Sequence, residues 1–313
     1  MASNIKKILL ATDGSAQTFQ AATYAGQILS GTEAEVTLYH TRIKVPEAFW
    51  EQEKDPLWLQ SNEALRNWEL QQERKIRDFM KKTRDIFLAA GFPEERIKIR
   101  VEASQQGIAR DILAESRNHY DAVVIGRRGF STLSDLHLGS IANKIVTKLT
   151  GVTAWLIGGT PSPGKLLVAL DTSKAAMHTT DYVANLLGGS NHKVLLFHAL
   201  TPMDTAPEEY PENLPEAYRA RFLEETEHRI RSVFADATQR LAAAGLDAVN
   251  ITSRIVTGAA SRAAAIVDEA RRGGYGTVVV GRKGLTAGEE PDMGRVGYKV
   301  TQLAEDLAVW IVA

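Results

Sequence analysis

The chain repeats itself. KKILLATDGS at residues 6–15 returns as GKLLVALDTS at 164–173, and VTLYHT at 36–41 returns as VLLFHAL at 194–200. AVVIGRRGF at 122–130 returns as TVVVGRKGL at 277–285, and the closing VTAWLI at 152–157 returns as AVWIV at 308–312. Matched segments in one order at similar spacing mean that a single folding unit is used twice. Within each unit, short Val/Ile/Leu-rich runs alternate with longer stretches of helical period, such as 61–90 and 214–244, which is the pattern of a mostly parallel sheet buried between helices. Each half is expected to be an α/β sandwich, and 313 residues suit two such domains. The glycines and prolines of Gly158-Gly-Thr-Pro-Ser-Pro-Gly164 end one strand before the next begins. The boundary is placed there, giving domains 1–160 and 161–313.

Composition narrows the chemistry. The absence of cysteine excludes disulfide frameworks, thiolate nucleophiles and cysteine-based metal clusters. No run of about 18 apolar residues occurs and the N-terminal apolar run is short, so a cytoplasmic protein without a membrane partner is expected. A net charge of −1, made of +2 in the first half and −3 in the second, gives no basic field for nucleic acid.

One loop carries the functional signal. GRRGFSTLSDLHLGS, residues 126–140, lies between the apolar run 122–125 and a segment with helical spacing from Ile141. Unpaired N–H groups and the positive dipole end of a helix start favour an anion, and glycines let phosphate approach the backbone. Asp13 and His40 also end apolar runs, and ligands of open α/β sheets bind at strand C-termini, so these positions are expected to converge. A decoy lies in the linker, where Gly159 to Lys165 fits G-x-x-x-x-G-K. Leu166 stands where Ser or Thr should bind magnesium and two prolines remove N–H donors, so this is not a P-loop.

The spacing Gly126-x2-Gly129-x9-Gly139-Ser140 resembles the nucleotide loop of the universal stress protein family, and the likeness covers nearly the whole chain. The resemblance implies two open, mostly parallel five-stranded sheets flanked by helices, of the adenine-nucleotide α-hydrolase-like, Rossmann-like type. It implies an ATP site, with magnesium accompanying the nucleotide. Asp13 would contact the nucleotide, Gly126, Gly129, Gly139 and Ser140 would hold phosphates and ribose, and Thr12, Thr41 and Ile141 would lie nearby by position. A side chain at Gly129 would intrude on the phosphates, and the position is also expected to need glycine's backbone freedom. Similar proteins pair their last strands across a pseudo-twofold axis, so the halves are expected to meet through residues near 152–157 and 308–313. A homodimer is a further arrangement open to such a chain.

Each assignment has a plainer counterpart. Asp13 suits a turn or helix cap, and Ser140 suits an ordinary N-cap compatible with phosphate. His40 and His198 recur at matching positions without metal-ligand spacing and read as packed strand-end histidines, so no metal site is assigned. The prolines and tryptophans of 43–60 and the prolines of 201–215 mark irregular insertions, with Trp50, Trp58 and Trp68 expected to cover the adjacent helix.

The second half departs from the motif. Asp171, Gly281, Gly284 and Gly294 keep their places, but Arg295 replaces the hydroxyl residue and Glu289, Glu290 and Asp292 crowd the loop. Like charge opposes phosphate there, while the neighbouring cations could offset it. The leading expectation is a nucleotide-binding stress-response or signalling module with no assigned catalytic residue. Slow ATP hydrolysis using Asp135 and His137 and a ligand-free structural module are the alternatives.

Overall fold

A computed structural model describes residues 6–43, 56–129, 138–173, 175–201, 216–283 and 293–313, without the side chains of 56–62, 216 and 219. The first half runs β1 (Lys6–Ala11), α1 (Ala16–Ile28), β2 (Ala34–Arg42), α2 (Pro56–Ala89), β3 (Ile97–Ala103), α3 (Ile108–Glu115), β4 (Ala122–Gly126), α4 (Ser140–Lys148) and β5 (Thr153–Ile157). The second runs β6 (Lys165–Ala169), α5 (Ala175–Leu187), β7 (Lys193–Ala199), α6 (Glu216–Ala243), β8 (Ile251–Val256), α7 (Arg262–Gly273), β9 (Thr277–Gly281), α8 (Arg295–Leu303) and β10 (Ala308–Val312).

The two five-stranded sheets are halves of one ten-stranded sheet, in the order β3-β2-β1-β4-β5-β10-β9-β6-β7-β8. Pairing within each half is parallel, and the halves join through the antiparallel pair β5–β10, with Trp310 opposite Trp155 and Ala308 opposite Ile157. The expected meeting of residues near 152–157 and 308–313 is thus a backbone ladder.

Successive strand residues serve opposite faces. Ile8 and Leu10 point toward α1 and α2, Leu9 points toward α3 and α4, and all three are fully buried. Burial on both faces explains why these strands read as unbroken apolar runs. Each of the two cores continues across the seam into the second half.

Two expectations about α2 are corrected. It begins at Pro56, a residue suited to the first helical position, so the irregular reading of 43–60 ran too far. Trp68 is 42 % exposed, and the residues by which α2 joins the core begin at Ile76, about two turns further on. Trp50 and the side chain of Trp58 lie outside the described residues, as do 44–55 and 202–215.

Candidate functional site

Chain order reverses between β1 and β4, which places a crevice at their C-terminal ends. Thr12 extends the ladder by donating its N–H to the Tyr39 carbonyl at 2.8 Å. Asp13 follows, and its Oδ1 accepts from the Ser15 N–H at 2.9 Å and the Thr18 hydroxyl at 2.7 Å. Gly14, at φ +82°, makes the turn between them. Ser15 is the N-cap of α1. Asp13 is therefore a turn cap whose other oxygen, Oδ2, faces Gly129: a Cβ added at Gly129 would lie 2.5 Å from it.

Beyond β4 the loop folds back onto itself. The Arg127 N–H donates to the Ile157 carbonyl at 2.9 Å, while its carbonyl accepts from the Gly139 N–H at 3.0 Å. That second bond draws the start of α4 against the end of β4. Gly139, not Ser140, is the N-cap, it makes no side-chain cap bond, and Ser140 is the first helical residue. The expectation for Ser140 as N-cap is corrected accordingly, because the cap position falls on the glycine that must pass close to Arg127 and Arg128. Gly129 does not have positive φ, so its requirement is steric and the expected conformational one is withdrawn. Ser131, Thr132, Ser134, Asp135 and His137 lie outside the described residues.

These segments enclose a cavity of about 300 Å³ lined by Thr12, Asp13, Thr41, Gly126, Gly129, Gly139, Ser140 and Ile141, all the positions assigned to the first site. That volume is at the lower end for small-molecule sites. Ile108 and Ile112 of α3 add an apolar wall that sequence reasoning had not assigned, as do Ile125 and Ile145. The hydroxyls of Thr12 and Thr41 are buried; that of Thr12 finds no hydrogen-bond partner among the described residues, and that of Thr41 lies beside the Tyr39 hydroxyl. Buried polar atoms are normally paired, so the orphaned Thr12 hydroxyl on the cavity wall fits a polar ligand. His40 donates from Nδ1 to the Thr12 carbonyl at 2.8 Å and meets the Phe79 ring edge-on at 5.0 Å. Burial holds its pKa below the usual histidine value. It lines the cavity as a neutral ring that braces the end of β1.

The second half copies the brace and loses the hydroxyls. Asp171 Oδ1 accepts from the Ser173 N–H at 2.9 Å and its hydroxyl at 2.5 Å, and His198 donates to the Leu170 carbonyl at 2.5 Å. The Gly294 N–H reaches the Arg282 carbonyl at 2.8 Å, and Gly281 ends β9. Where Thr12 and Thr41 stand in the first half, the second has Leu170 and Ala199, both buried. Arg295 opens α8 as an exposed residue. Gly284, Glu289, Glu290 and Asp292 lie outside the described residues.

Each loop also reaches into the other half, which the sequence reading missed. The buried Arg127 guanidinium donates to the carbonyls of Thr301, Gln302 (3.1 Å) and Ala304 (3.2 Å) at the C-terminal end of α8. Arg282 does the same to Val146 (2.8 Å) and Thr147 (3.5 Å) at the end of α4. A cation at a helix C-terminus meets the negative end of its dipole and pairs carbonyls that lack helical partners. Burial lowers the Arg127 pKa to about 10, so the group stays charged at neutral pH. The recurrence of Arg after the loop's first glycine in both halves was the available signal.

Comparison with known proteins agrees with this architecture. The model of the universal stress protein family matches residues 4–150 and again 163–311. A universal stress protein from Archaeoglobus fulgidus DSM 4304 superposes with a TM-score of 0.60 at 17% identity, over 99% of this chain and 98% of that one. A protein of unknown function from Pseudomonas aeruginosa PAO1 superposes with a TM-score of 0.55 at 14% identity, over 99% of this chain and 93% of that one. No curated protein matches the chain. Two family matches, spanning nearly every residue and joined in one sheet, make the chain a tandem member of the universal stress protein family.

Proposed function

We propose that the N-terminal half binds an adenine nucleotide, ATP with its magnesium, and that the protein is a cytoplasmic stress-response or signalling module whose state follows occupancy. The observation that carries this reading is the meeting of Asp13, three loop glycines, Ser140 and the buried threonines Thr12 and Thr41, the first with an unpartnered hydroxyl, around one cavity at the β1/β4 switch point. Thr12 and Thr41 supply donors or acceptors for a polar heterocycle, and the isoleucines supply an apolar face. The start of α4, with no side-chain cap, offers N–H groups to phosphate. Asp13 is the one carboxylate among the described lining residues, so magnesium would be held largely by the nucleotide's own phosphates and water. Binding without turnover is the activity proposed.

Calorimetry with ATP, combined with native mass spectrometry of freshly purified protein, tests this. One bound adenine nucleotide that persists without ADP release supports a binding module. Steady ADP release would make it a hydrolase, and no binding at millimolar ATP would leave a structural role.

A further inference from the structure

The second loop arginine, Arg128, faces two ways. It lines the cavity, and its backbone N–H is held by the Gln17 side chain on α1. Its guanidinium Nη2 lies 3.8 Å from Glu305 Oε2, in the turn that follows α8 of the other half. Its Nε is buried and has no hydrogen-bond partner among the described residues. The side chains of Arg128 and Glu305 are 32% and 43% exposed, which makes the pair a weak one. A phosphate is a better partner, since guanidinium recognises it through paired, charge-assisted hydrogen bonds. The arrangement occurs in one half: the repeat places Lys283 opposite Arg128 and Thr150 opposite Glu305.

We propose that Arg128 reads phosphate in the N-terminal cavity and that Glu305, from the C-terminal half, holds it in reserve until a polyphosphate displaces the carboxylate. This rests on the nucleotide reading above. Arg127 fixes the base of the loop on α8, so Arg128 can change partner while the loop root stays in place. Two consequences follow. The preference for phosphorylated over unphosphorylated ligand depends on a residue outside the binding half, and occupancy releases one tether across the seam.

The test is calorimetric titration of the full chain with ATP and with adenosine, which shares the base and lacks the phosphates. Glu305→Gln should raise ATP affinity about two- to fivefold, the scale of a weak exposed pair, and leave adenosine unchanged. Arg128→Gln should lower ATP affinity, with Arg128→Lys intermediate because it keeps charge without the fork. In the Arg128→Gln background, Glu305→Gln should have no further effect. An equal gain in that background would show simple anion repulsion by Glu305 and overturn the exchange, as would no gain in the single variant. A parent chain that binds neither ligand removes the nucleotide reading itself, and the exchange with it. Thermal unfolding of each variant confirms that affinities are compared between folded proteins.

Discussion

Trp155 and Trp310 stack face to face across the seam between the halves, with ring centroids 4.4 Å apart and planes within 6°. The antiparallel register sets them opposite each other, and both are fully buried. Tyr24 and Tyr182 close the stack edge-on from either side, and the Trp155 indole N–H donates to the Tyr182 hydroxyl at 2.9 Å. Trp310→Ala should therefore cost about 3–5 kcal/mol, the range for emptying a large aromatic site. Urea unfolding measures it, and a loss below about 1 kcal/mol would show that the seam contributes little to stability. Deleting 308–313 should expose the β5 edge and cause aggregation in light scattering. A monodisperse, equally stable truncation would contradict this.

Gly129→Val places a branched side chain against the Asp13 carboxylate and into the cavity. Because Asp13 Oδ1 is already held by Ser15 and Thr18, the carboxylate cannot turn away without giving up both bonds. ATP binding should fall by at least about tenfold, or about 1.4 kcal/mol, with the fold retained by circular dichroism. Unchanged affinity in the folded variant would place the phosphates elsewhere.

Nucleotide stoichiometry should be one per chain. Leu170 and Ala199 remove the two hydroxyls that the first cavity offers, and Arg295 takes the place of Ser140. Equilibrium dialysis decides it, and two equivalent sites would show that the second half binds despite these changes. If the acidic loop is the obstacle, Glu289→Ser, Glu290→Thr and Arg295→Ser together should move the count toward two.

Arg127→Met keeps the volume and removes the guanidinium from the end of α8. The expected cost is about 2–3 kcal/mol, since buried carbonyls lose a charged donor. Arg282→Met, with two acceptors in place of three, should cost less. Denaturant unfolding of the two variants gives the order, and equal losses would mean that the acceptor count is irrelevant.

His40 makes stability depend on acidity. Burial lowers its pKa in the folded chain, so the unfolded chain binds the proton more readily. Its contribution is complete above the ordinary histidine value near 6.5 and is lost as pH falls from there through the folded pKa. His40→Gln should flatten the decline in Tm as pH falls below about 6.5. An unaltered profile would assign that decline to other groups, His192 among them, which burial shifts in the same direction.

Much of this was legible in the chain itself. Apolar runs such as Ile8–Leu10 announce strands buried on both faces, and the matched glycines locate the loop. The pair Thr12 and Leu170 shows the limit of such reading: the substitution is visible, but its meaning needs the cavity wall on which Thr12 sits unpartnered. The Arg127 clasp on Thr301–Ala304 joins positions far apart in sequence through backbone carbonyls, which every residue carries and no pattern marks. The N-cap at Gly139 depended on a close approach to Arg127 and Arg128 that spacing alone does not encode.

The β5–β10 ladder also sets a schedule for synthesis. Elements β1 to β5 are complete by Ile157, yet the strand that covers β5 begins at Ala308. At about 5–20 residues per second, the first half waits about 8–30 seconds with Trp155 and an open sheet edge uncovered. During that interval the nascent chain presents to its neighbours on the same messenger the edge that it later closes with its own C-terminus. Slow codons after residue 157 would lengthen the exposure, and crowded ribosomes would raise the risk of pairing between chains.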